Sequence, residues 1–183
     1  MCIKLCKPKR VKLKDGRTAL LRRPEKKDVR QLLDFINALV DEDVMILMNK
    51  RTTLKDERKW LKDALDNIRK GTLHYVVAEL DGRIVGSCSI KKGKWRESHV
   101  AEYAISVLAD CRRLGIATVL SKYILAVGKK DKSIKLIMLQ VYAANKKAKA
   151  LYEKLGFREV ARLPKRIQYK GKLMDEFVMD LKR

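Results

Sequence analysis

A short segment with the composition of a phosphate-binding turn occupies residues 112–118, with the sequence Arg-Arg-Leu-Gly-Ile-Ala-Thr. It follows an apolar run and opens a helical pattern over 116–128. The first N–H groups of a helix lack intrahelical partners and form the positive end of its dipole, so phosphate oxygens bind there. Gly115 would let a ligand approach the backbone closely, and Ala117 would keep the next contact tight. The same residues are also typical of an ordinary strand–turn–helix junction with two surface arginines.

A second patterned segment lies farther along the chain, on a predicted helix. It combines an amide, a small residue, a Leu-Tyr pair and a Gly-Phe pair: Asn145, Ala148, Leu151, Tyr152, Gly156 and Phe157. Together with the turn, this order resembles the GNAT superfamily of acetyl-CoA-dependent N-acetyltransferases. The signature of that family is Arg/Gln-x-x-Gly-x-Gly/Ala followed by Asn…Ala…Leu-Tyr…Gly-Phe. The stretch 101–107 also resembles the central strand of the family, so the resemblance covers roughly residues 73–163.

The resemblance implies acetyl-CoA as cosubstrate, CoA as product and no metal. It implies that the diphosphate of CoA is held at the turn by Arg112, Arg113, Leu114, Gly115, Ile116, Ala117 and Thr118. The pantetheine arm would pair with the edge of the central strand at Ile105, Ser106 and Val107, which can equally be plain core positions. Asn145 would contact the same arm, although a helix cap alone also explains it.

Acetyl transfer needs a group that stabilises or protonates the leaving thiolate. A tyrosine hydroxyl has a pKa of about 10 and can donate a proton to sulfur. The resemblance places Tyr152 where the family commonly has such a tyrosine, in contact with the cofactor. The same spacing is also typical of an amphipathic tyrosine in a core, so both interpretations stay open.

The attacking amine must be neutral, and a lysine amine is mostly protonated at neutral pH. A carboxylate that accepts the proton, directly or through water, therefore assists the reaction. Many relatives carry a Glu on the strand before the Asn, where this chain has Gln140, which cannot serve as a base. Glu102 on the predicted central strand is the candidate that remains, although a salt-bridged strand-end residue fits the same pattern. Weaker candidates are Glu79, Asp175 and Glu176.

We expect direct transfer in a ternary complex, because neither Cys88 nor Cys111 has a neighbouring histidine in sequence to support an acyl-enzyme. The acceptor would be a primary amine: a protein N-terminus, a lysine, an amino acid or a polyamine. Two alternatives use the same fold differently. One is a basic nucleic-acid-binding protein, and the other is a domain that binds CoA without catalysis.

The composition predicts a globular chain with a strongly positive surface. Its 183 residues are 46% hydrophobic and 36% charged, and 44 basic against 22 acidic residues give a net charge of +22. This charge attracts polyanions, but the basic residues are dispersed and aromatic residues are only 6%, which makes nucleic acid a less favoured partner. No apolar run approaches the roughly 18 residues of a membrane span, and no secretory signal is present. We therefore expect a cytoplasmic monomer or homodimer without membrane contact.

The elements that must position the site follow from hydrophobic periodicity and turn residues. Asp-Gly pairs at 15–16 and 81–82 predict two hairpins, and Pro164 is predicted to break a strand. Their order predicts an α/β (α+β) fold: a mixed, mostly antiparallel central sheet of about seven strands with helices on both faces. The resemblance adds strand splay at the cofactor site. Residues 1–10 are predicted to form a basic N-terminal extension, and residues 11–183 a single GNAT-like domain.

Two further features are left open by the sequence. The apolar loop 41–51 either closes over the core or lines a substrate groove. The cysteines and histidines, which are Cys2, Cys6, Cys88, Cys111, His74 and His99, show no metal-site spacing. We expect no structural metal, and Cys2 and Cys6 have no assigned role.

Overall fold

The computed structural model describes residues 6–182. Its strands are β1 (Lys9–Lys12), β2 (Thr18–Arg22), β3 (Leu73–Leu80), β4 (Arg83–Lys92), β5 (Val100–Val107), β6 (Leu136–Tyr142), β7 (Arg158–Tyr169) and β8 (Lys172–Lys182). Its helices are α1 (Val29–Asp41), α2 (Leu54–Lys70), α3 (Ile116–Lys130) and α4 (Lys146–Lys154). The predictions for Cys2 and for residues 1–5 lie outside the described residues.

The strands form one sheet in the order β1-β2-β3-β4-β5-β6-β8-β7. Only β5 and β6 run parallel, and every other neighbouring pair among the described strands is antiparallel. The predicted mixed, mostly antiparallel sheet is confirmed, with eight strands instead of about seven.

The parallel pair in the middle of the sheet is short. β5 and β6 pair only where Val100, Ala101 and Glu102 face residues 136–138. Beyond Glu102 the two strands separate, while β5 stays paired with β4 and β6 stays paired with β8. The predicted splay is therefore present, and it leaves one edge of β5 without a strand partner.

Helix α2 shows how local sequence signals set the element boundaries. The Thr53 hydroxyl accepts a hydrogen bond from the amide of Asp56 at 3.2 Å, which caps the first turn. Gly71 ends the helix in the left-handed region, with φ of +72°. Both ends were predicted from these residue types.

Helices cover both faces of the sheet, as predicted. α3 and α4 pack on one face through a core that includes Val76, Ile90, Leu120, Ile124, Tyr152 and Phe157. α1 and α2 pack on the other face through a core that includes Leu32, Phe35, Leu39, Leu61, Tyr75 and Val77. Because successive residues of β3 face opposite cores, this strand is buried along nearly its whole length and is mostly apolar. No helix within residues 6–182 is long and apolar enough to cross a membrane.

Gly86 sets how closely the start of α3 approaches β4. A Cβ at this position would lie 3.1 Å from Leu120 Cδ1 and 3.2 Å from Ile116 Cγ2. The helix therefore lies directly on the strand, and this contact fixes the position of the turn that precedes α3.

Two of the differences between the structure and the sequence-based boundaries change how the sheet is described. β1 begins at Lys9 instead of Val11, so the last residues assigned to the extension pair with β2. β7 continues through Pro164, with a register irregularity between Leu163 and Ile167, so the predicted break is wrong. Proline is tolerated there because β7 is the last strand of the sheet and Pro164 falls in the irregular stretch.

Candidate active site

An open cleft of about 710 Å³ lies where β5 and β6 separate. It is lined by the loop after α1, the second half of β5, the end of β6, part of α4 and the β7–β8 turn. The predicted site residues in this lining are Glu102, Ile105, Ser106, Val107, Arg112, Ala117, Asn145 and Tyr152. The fold thus brings both sequence motifs and the central strand to one cleft.

The remaining predicted residues of the turn do not line the cleft: Arg113, Leu114, Gly115, Ile116 and Thr118. The side chain of Ile116 is buried in the core and anchors the helix start. Gly115 precedes α3 with φ of +90° and ψ of 0°. The first intrahelical bond runs from Val119 N to the Gly115 carbonyl at 3.1 Å. The N–H groups of 116–118 therefore lack helical partners, which is the condition for binding an anion.

The guanidinium group of Arg112 is held by hydrogen bonds to other residues of the protein. Its Nε donates to the Val107 carbonyl at 3.1 Å, and its Nη2 donates to Glu42 Oε2 at 2.7 Å. Nη1 contacts the other oxygen of the same carboxylate, which makes the pair bidentate. This side chain ties the end of β5 to the segment after α1, so its contact with a phosphate stays a prediction.

Lys14 is a neighbour of the turn that sequence reasoning missed. Its amide donates to the Leu114 carbonyl at 3.2 Å. Its Cγ lies 3.7 Å from the position that a Cβ on Gly115 would occupy. Because the two residues are far apart in the chain, only the folded β1–β2 hairpin brings this cation to the turn.

Tyr152 lies on the wall of the cleft formed by α4. Its ring is packed edge-on against Tyr103, with centroids 5.9 Å apart, and against Phe157 at 6.1 Å. Burial raises the pKa of Tyr152 to about 12. The hydroxyl keeps its proton at neutral pH, so it can serve as a hydrogen-bond donor to a developing thiolate. Both interpretations of this tyrosine, core packing and a place in the cleft, apply together.

The unpaired edge of β5 and the start of α4 face each other across the splay. Ile105, Ser106 and Val107 keep their pairing with β4 and have no partner on the β6 side. The Val107 carbonyl already accepts from Arg112. Asn145 caps α4, because its Oδ1 accepts from the Ala148 amide at 3.2 Å. The cap is thus observed, and the contact of Asn145 with a pantetheine arm stays a prediction.

The sheet register places two carboxylates on the face of the cleft that carries Gln140. Glu102 faces Met138 across β5 and β6, and Glu176 faces Tyr142 across β6 and β8. Since alternate residues share a face, Glu102, Gln140 and Glu176 point to the same side. Glu102 is exposed, whereas Glu176 is 4% exposed and burial raises its pKa, against a smaller opposite effect of Arg166. Glu176, a weaker candidate base from the sequence, therefore lies buried in the cleft on the same face as Gln140.

The other carboxylates considered from sequence have structural partners away from the cleft lining. Glu79 accepts from Arg22 Nε at 2.6 Å, in a network that includes buried Asp28. Asp175 accepts from Arg162 Nε at 2.6 Å and from the amide of Lys165 at 2.9 Å. These contacts stabilise the β2–β3 and β7–β8 regions and leave Glu102 and Glu176 as the two candidates.

Two tyrosine hydroxyls join the β6 and β7 ends to the loop after α1. Tyr142 donates to the Ile46 carbonyl at 3.0 Å, and Tyr169 donates to the Asp43 carbonyl at 2.7 Å. In this loop Ile46 packs against the core below α1, while Leu47 is 75% exposed beside the cleft. Both interpretations of the segment therefore hold, since it covers the core and lines the groove.

The cysteine thiols are poorly suited to nucleophilic catalysis. Cys88 is 1% exposed, and burial raises its pKa to about 12. Cys111 is also buried, and burial raises its pKa. A thiol with a raised pKa carries little thiolate at neutral pH. The described part of the chain holds no group of three or more His, Cys, Asp or Glu residues placed to bind a metal ion.

The family model of the acetyltransferase (GNAT) family matches residues 40–157. The chain belongs to the GNAT acetyltransferase family. As a GNAT protein it is an acetyl-CoA-dependent N-acetyltransferase, with acetyl-CoA as its cosubstrate. The match includes both sequence motifs, β5 and Gln140, and it ends before Glu176.

Individual relatives agree with the family. The GNAT chain is 31% identical over 136 residues to an N-alpha-acetyltransferase of Saccharolobus solfataricus, covering 68% of this chain and 79% of that protein. A GNAT-family acetyltransferase of Streptococcus pneumoniae has a similar fold, with a TM-score of 0.82, 20% identity and coverage of 90% and 99%. The acetyltransferase yncA of Salmonella typhimurium, solved with its cofactor acetyl-CoA, gives a TM-score of 0.72 at 18% identity, with coverage of 90% and 92%.

Proposed function

We propose that this GNAT chain acetylates the N-terminal α-amino group of polypeptides by direct transfer from acetyl-CoA. The observation that carries the proposal is the pair of carboxylates, Glu102 and Glu176, on the face of the cleft that carries Gln140. We assign this face to the acceptor. In a chain with a net charge of +22, an acidic pair in the cleft favours a cationic acceptor. The relative from Saccharolobus solfataricus is named an N-alpha-acetyltransferase, which supports the same acceptor class.

The cofactor path follows the elements of the cleft. The N–H groups of Ile116, Ala117 and Thr118 hold the diphosphate, and Lys14 and Arg113 add positive charge beside it. The unpaired edge of β5 positions the pantetheine arm, and Asn145 contacts it from α4. These contacts leave the thioester between Tyr152 and the two carboxylates. The predicted acetyltransferase domain acts as one unit that begins at Lys9, where β1 starts, and the single sheet supports this.

The transfer itself requires two proton movements. The amine nitrogen attacks the thioester carbonyl carbon, and the carbon–sulfur bond breaks. Tyr152 stabilises the departing thiolate by donating its hydroxyl proton in a hydrogen bond. Glu102 holds the incoming ammonium group, and Glu176 accepts, directly or through water, the proton that this group loses to become the attacking amine. After the attack the nitrogen loses its second proton, which passes to the thiolate and gives CoA as the free thiol.

The free-amine fraction favours an α-amine over a lysine side chain. With a pKa of about 7.7–8.0, on the order of a tenth of an α-amine is neutral at pH 7, against less than about one in a thousand of lysine amines. This chain has Gln140 in place of the family's common Glu. It therefore works best on the amine with the lower pKa, which is the α-amine. The open cleft between the loop after α1 and the β7–β8 turn admits the end of a polypeptide.

The acceptor class is tested with two peptides. One peptide has a free α-amine and no lysine, and the other has a blocked α-amine and one lysine. We expect acetylation of the first peptide only, read by mass spectrometry after incubation with acetyl-CoA. Acetylation of the lysine peptide at an equal or higher rate would contradict the α-amine assignment. CoA binding without turnover of either peptide would also contradict it and would favour a small-molecule amine as the acceptor.

The base is tested with two isosteric variants, Glu176→Gln and the matched control Glu102→Gln. We expect Glu176→Gln to lower kcat/KM by about 100-fold and Glu102→Gln by less than about tenfold. Because burial raises the pKa of Glu176, its ionised form is lost as the pH falls through that raised value, and kcat/KM falls with it. This acid limb should be absent in Glu176→Gln. The reverse pattern would identify Glu102 as the base.

A further inference from the structure

A second surface with a distinct composition lies at the other end of the strands. The cleft is at the carboxyl end of β5, whereas the turn Trp95–Glu97 precedes the amino end of the same strand. At about 3.3 Å per residue, β5 places the turn that precedes α3 about 23 Å from its amino end, whereas Glu102 at the near edge of the cleft is only two residues from Val100. We define the Trp95 patch as Lys94, Trp95, Arg96, Lys132 and Lys135; Lys91 is not included, because it points to the opposite face from Lys92 and lies across from Glu102. None of these residues lines the cleft.

Trp95 is held in a conformation that exposes its ring. It is 89% exposed, whereas the chain's other tryptophan, Trp60, packs edge-on against Tyr75 at 5.6 Å. Its φ is +50°, which is unfavourable for a bulky side chain. The turn is fixed by hydrogen bonds from Gly93 N to the Val100 carbonyl at 2.8 Å and from Ser98 N to the Trp95 carbonyl at 3.2 Å. The ring is thus presented to solvent by an ordered turn.

The basic residues of the Trp95 patch come from two loops that are joined. The His99 carbonyl accepts from Lys135 N at 2.8 Å and from Leu136 N at 3.2 Å. Lys92 bridges the same loops, with its Nζ 2.8 Å from Asp131 Oδ2 and 2.8 Å from Ser133 Oγ. The negative charge of Asp131 is therefore balanced by Lys92 at this surface. Glu97 is a second carboxylate here, and it belongs to the turn that carries Trp95.

The four cations of the patch are exposed and carry no ion pair with any residue of 6–182: Lys94, Arg96, Lys132 and Lys135. Lys94 Nζ lies 6.0 Å from the Trp95 ring centroid. The loops that carry these cations are joined beside the exposed Trp95 ring, and the four positive charges exceed the one negative charge of Glu97 in the turn. The patch therefore attracts an anion that also has a planar group to stack on the ring.

We propose that the Trp95 patch binds single-stranded nucleic acid, with a base stacked on Trp95 and backbone phosphates on the surrounding lysines and Arg96. Stacking on an aromatic side chain combined with a cationic surface is how proteins bind single strands without sequence preference. An anionic membrane is less suited, because membrane-surface binding needs an apolar face and the neighbours of Trp95 in residues 91–99 are charged or polar. This site is independent of the acetyl-transfer function.

The stacking contact is tested by fluorescence anisotropy with a labelled single-stranded RNA of about a dozen nucleotides. We expect Trp95→Ala to weaken binding about tenfold and Trp95→Phe, which keeps an aromatic face, to weaken it by less than about threefold. Acetyl transfer to a peptide should be unchanged in both variants. Equal RNA affinity of Trp95→Ala and the unsubstituted chain would overturn the proposal.

The cationic contacts are tested by the salt dependence of the same binding. The triple variant Lys94→Ala, Arg96→Ala, Lys132→Ala should reduce the slope of log K against log salt by about 2, at about 0.7 per phosphate contact. The matched control carries the same charge change on exposed residues of α2: Lys55→Ala, Arg58→Ala, Lys59→Ala. An equal change in the control would show diffuse attraction to the net charge and overturn the site. Weakened binding to phosphatidylserine vesicles without any change in RNA binding would also overturn it.

Discussion

Replacing Gly115 with Val is expected to abolish measurable binding of CoA. Gly115 has φ of +90°, a region that a β-branched residue occupies only with strain. A side chain there would also point toward Lys14, whose Cγ lies 3.7 Å from the added Cβ. The diphosphate would lose both the backbone geometry and the space beside the first amides of α3. We expect affinity to fall by at least about 100-fold, measured by isothermal titration calorimetry.

A matched control separates strain from the loss of the binding site. Gly82, in the β3–β4 turn, has φ of +78° and no heavy atom within 4 Å of an added Cβ. Gly82→Val should therefore carry comparable strain and leave CoA affinity unchanged, with folding of both variants followed by circular dichroism. Normal CoA affinity in Gly115→Val would mean that the turn has been assigned the wrong role.

Replacing Tyr152 with Phe is expected to lower kcat by about 100-fold or more, within the range for a general acid. The ring contacts with Tyr103 and Phe157 are kept, so the fold and the affinity for acetyl-CoA should change little. What is lost is the proton that the hydroxyl offers to the leaving thiolate. Single-turnover kinetics would show the loss in the chemical step, without a matching change in the dissociation constant.

The control for this variant is another tyrosine whose hydroxyl serves only structure. Tyr123 on α3 donates to the Lys7 carbonyl at 2.5 Å and does not line the cleft. Tyr123→Phe should keep the full kcat. If Tyr152→Phe also kept it, Tyr152 would have no part in the reaction beyond packing.

Features set by neighbouring residues were predictable from the sequence. The cap at Thr53, the end of α2 at Gly71 and the Asp-Gly hairpins follow from the conformations that these residue types prefer. The strand–turn–helix at Gly115 and the helix after Asn145 follow in the same way. Their meeting in one cleft was predicted only through the family resemblance, because residue preferences alone do not fix how distant elements are arranged.

Contacts between distant segments were beyond the reach of the sequence. Lys14 reaches the turn through the β1–β2 hairpin, and Arg112 pairs with Glu42 across the end of β5. Glu176 reaches the cleft only because β8 inserts between β6 and β7 with a register that aligns it with Tyr142. Hydrophobic alternation specifies which face a residue takes, but it does not specify which strand lies beside it. Pro164 was misjudged for the same reason, since its tolerance depends on the position of β7 in the sheet.

The binding of a diphosphate by the first amides of α3 is tested most directly by a crystal structure of the chain with CoA. We expect diphosphate oxygens within about 2.7–3.2 Å of the backbone nitrogens of Ile116, Ala117 and Thr118, with the pantetheine arm along the β5 edge at Ile105. A complex whose diphosphate lies elsewhere, with these amides facing only water, would contradict the assignment.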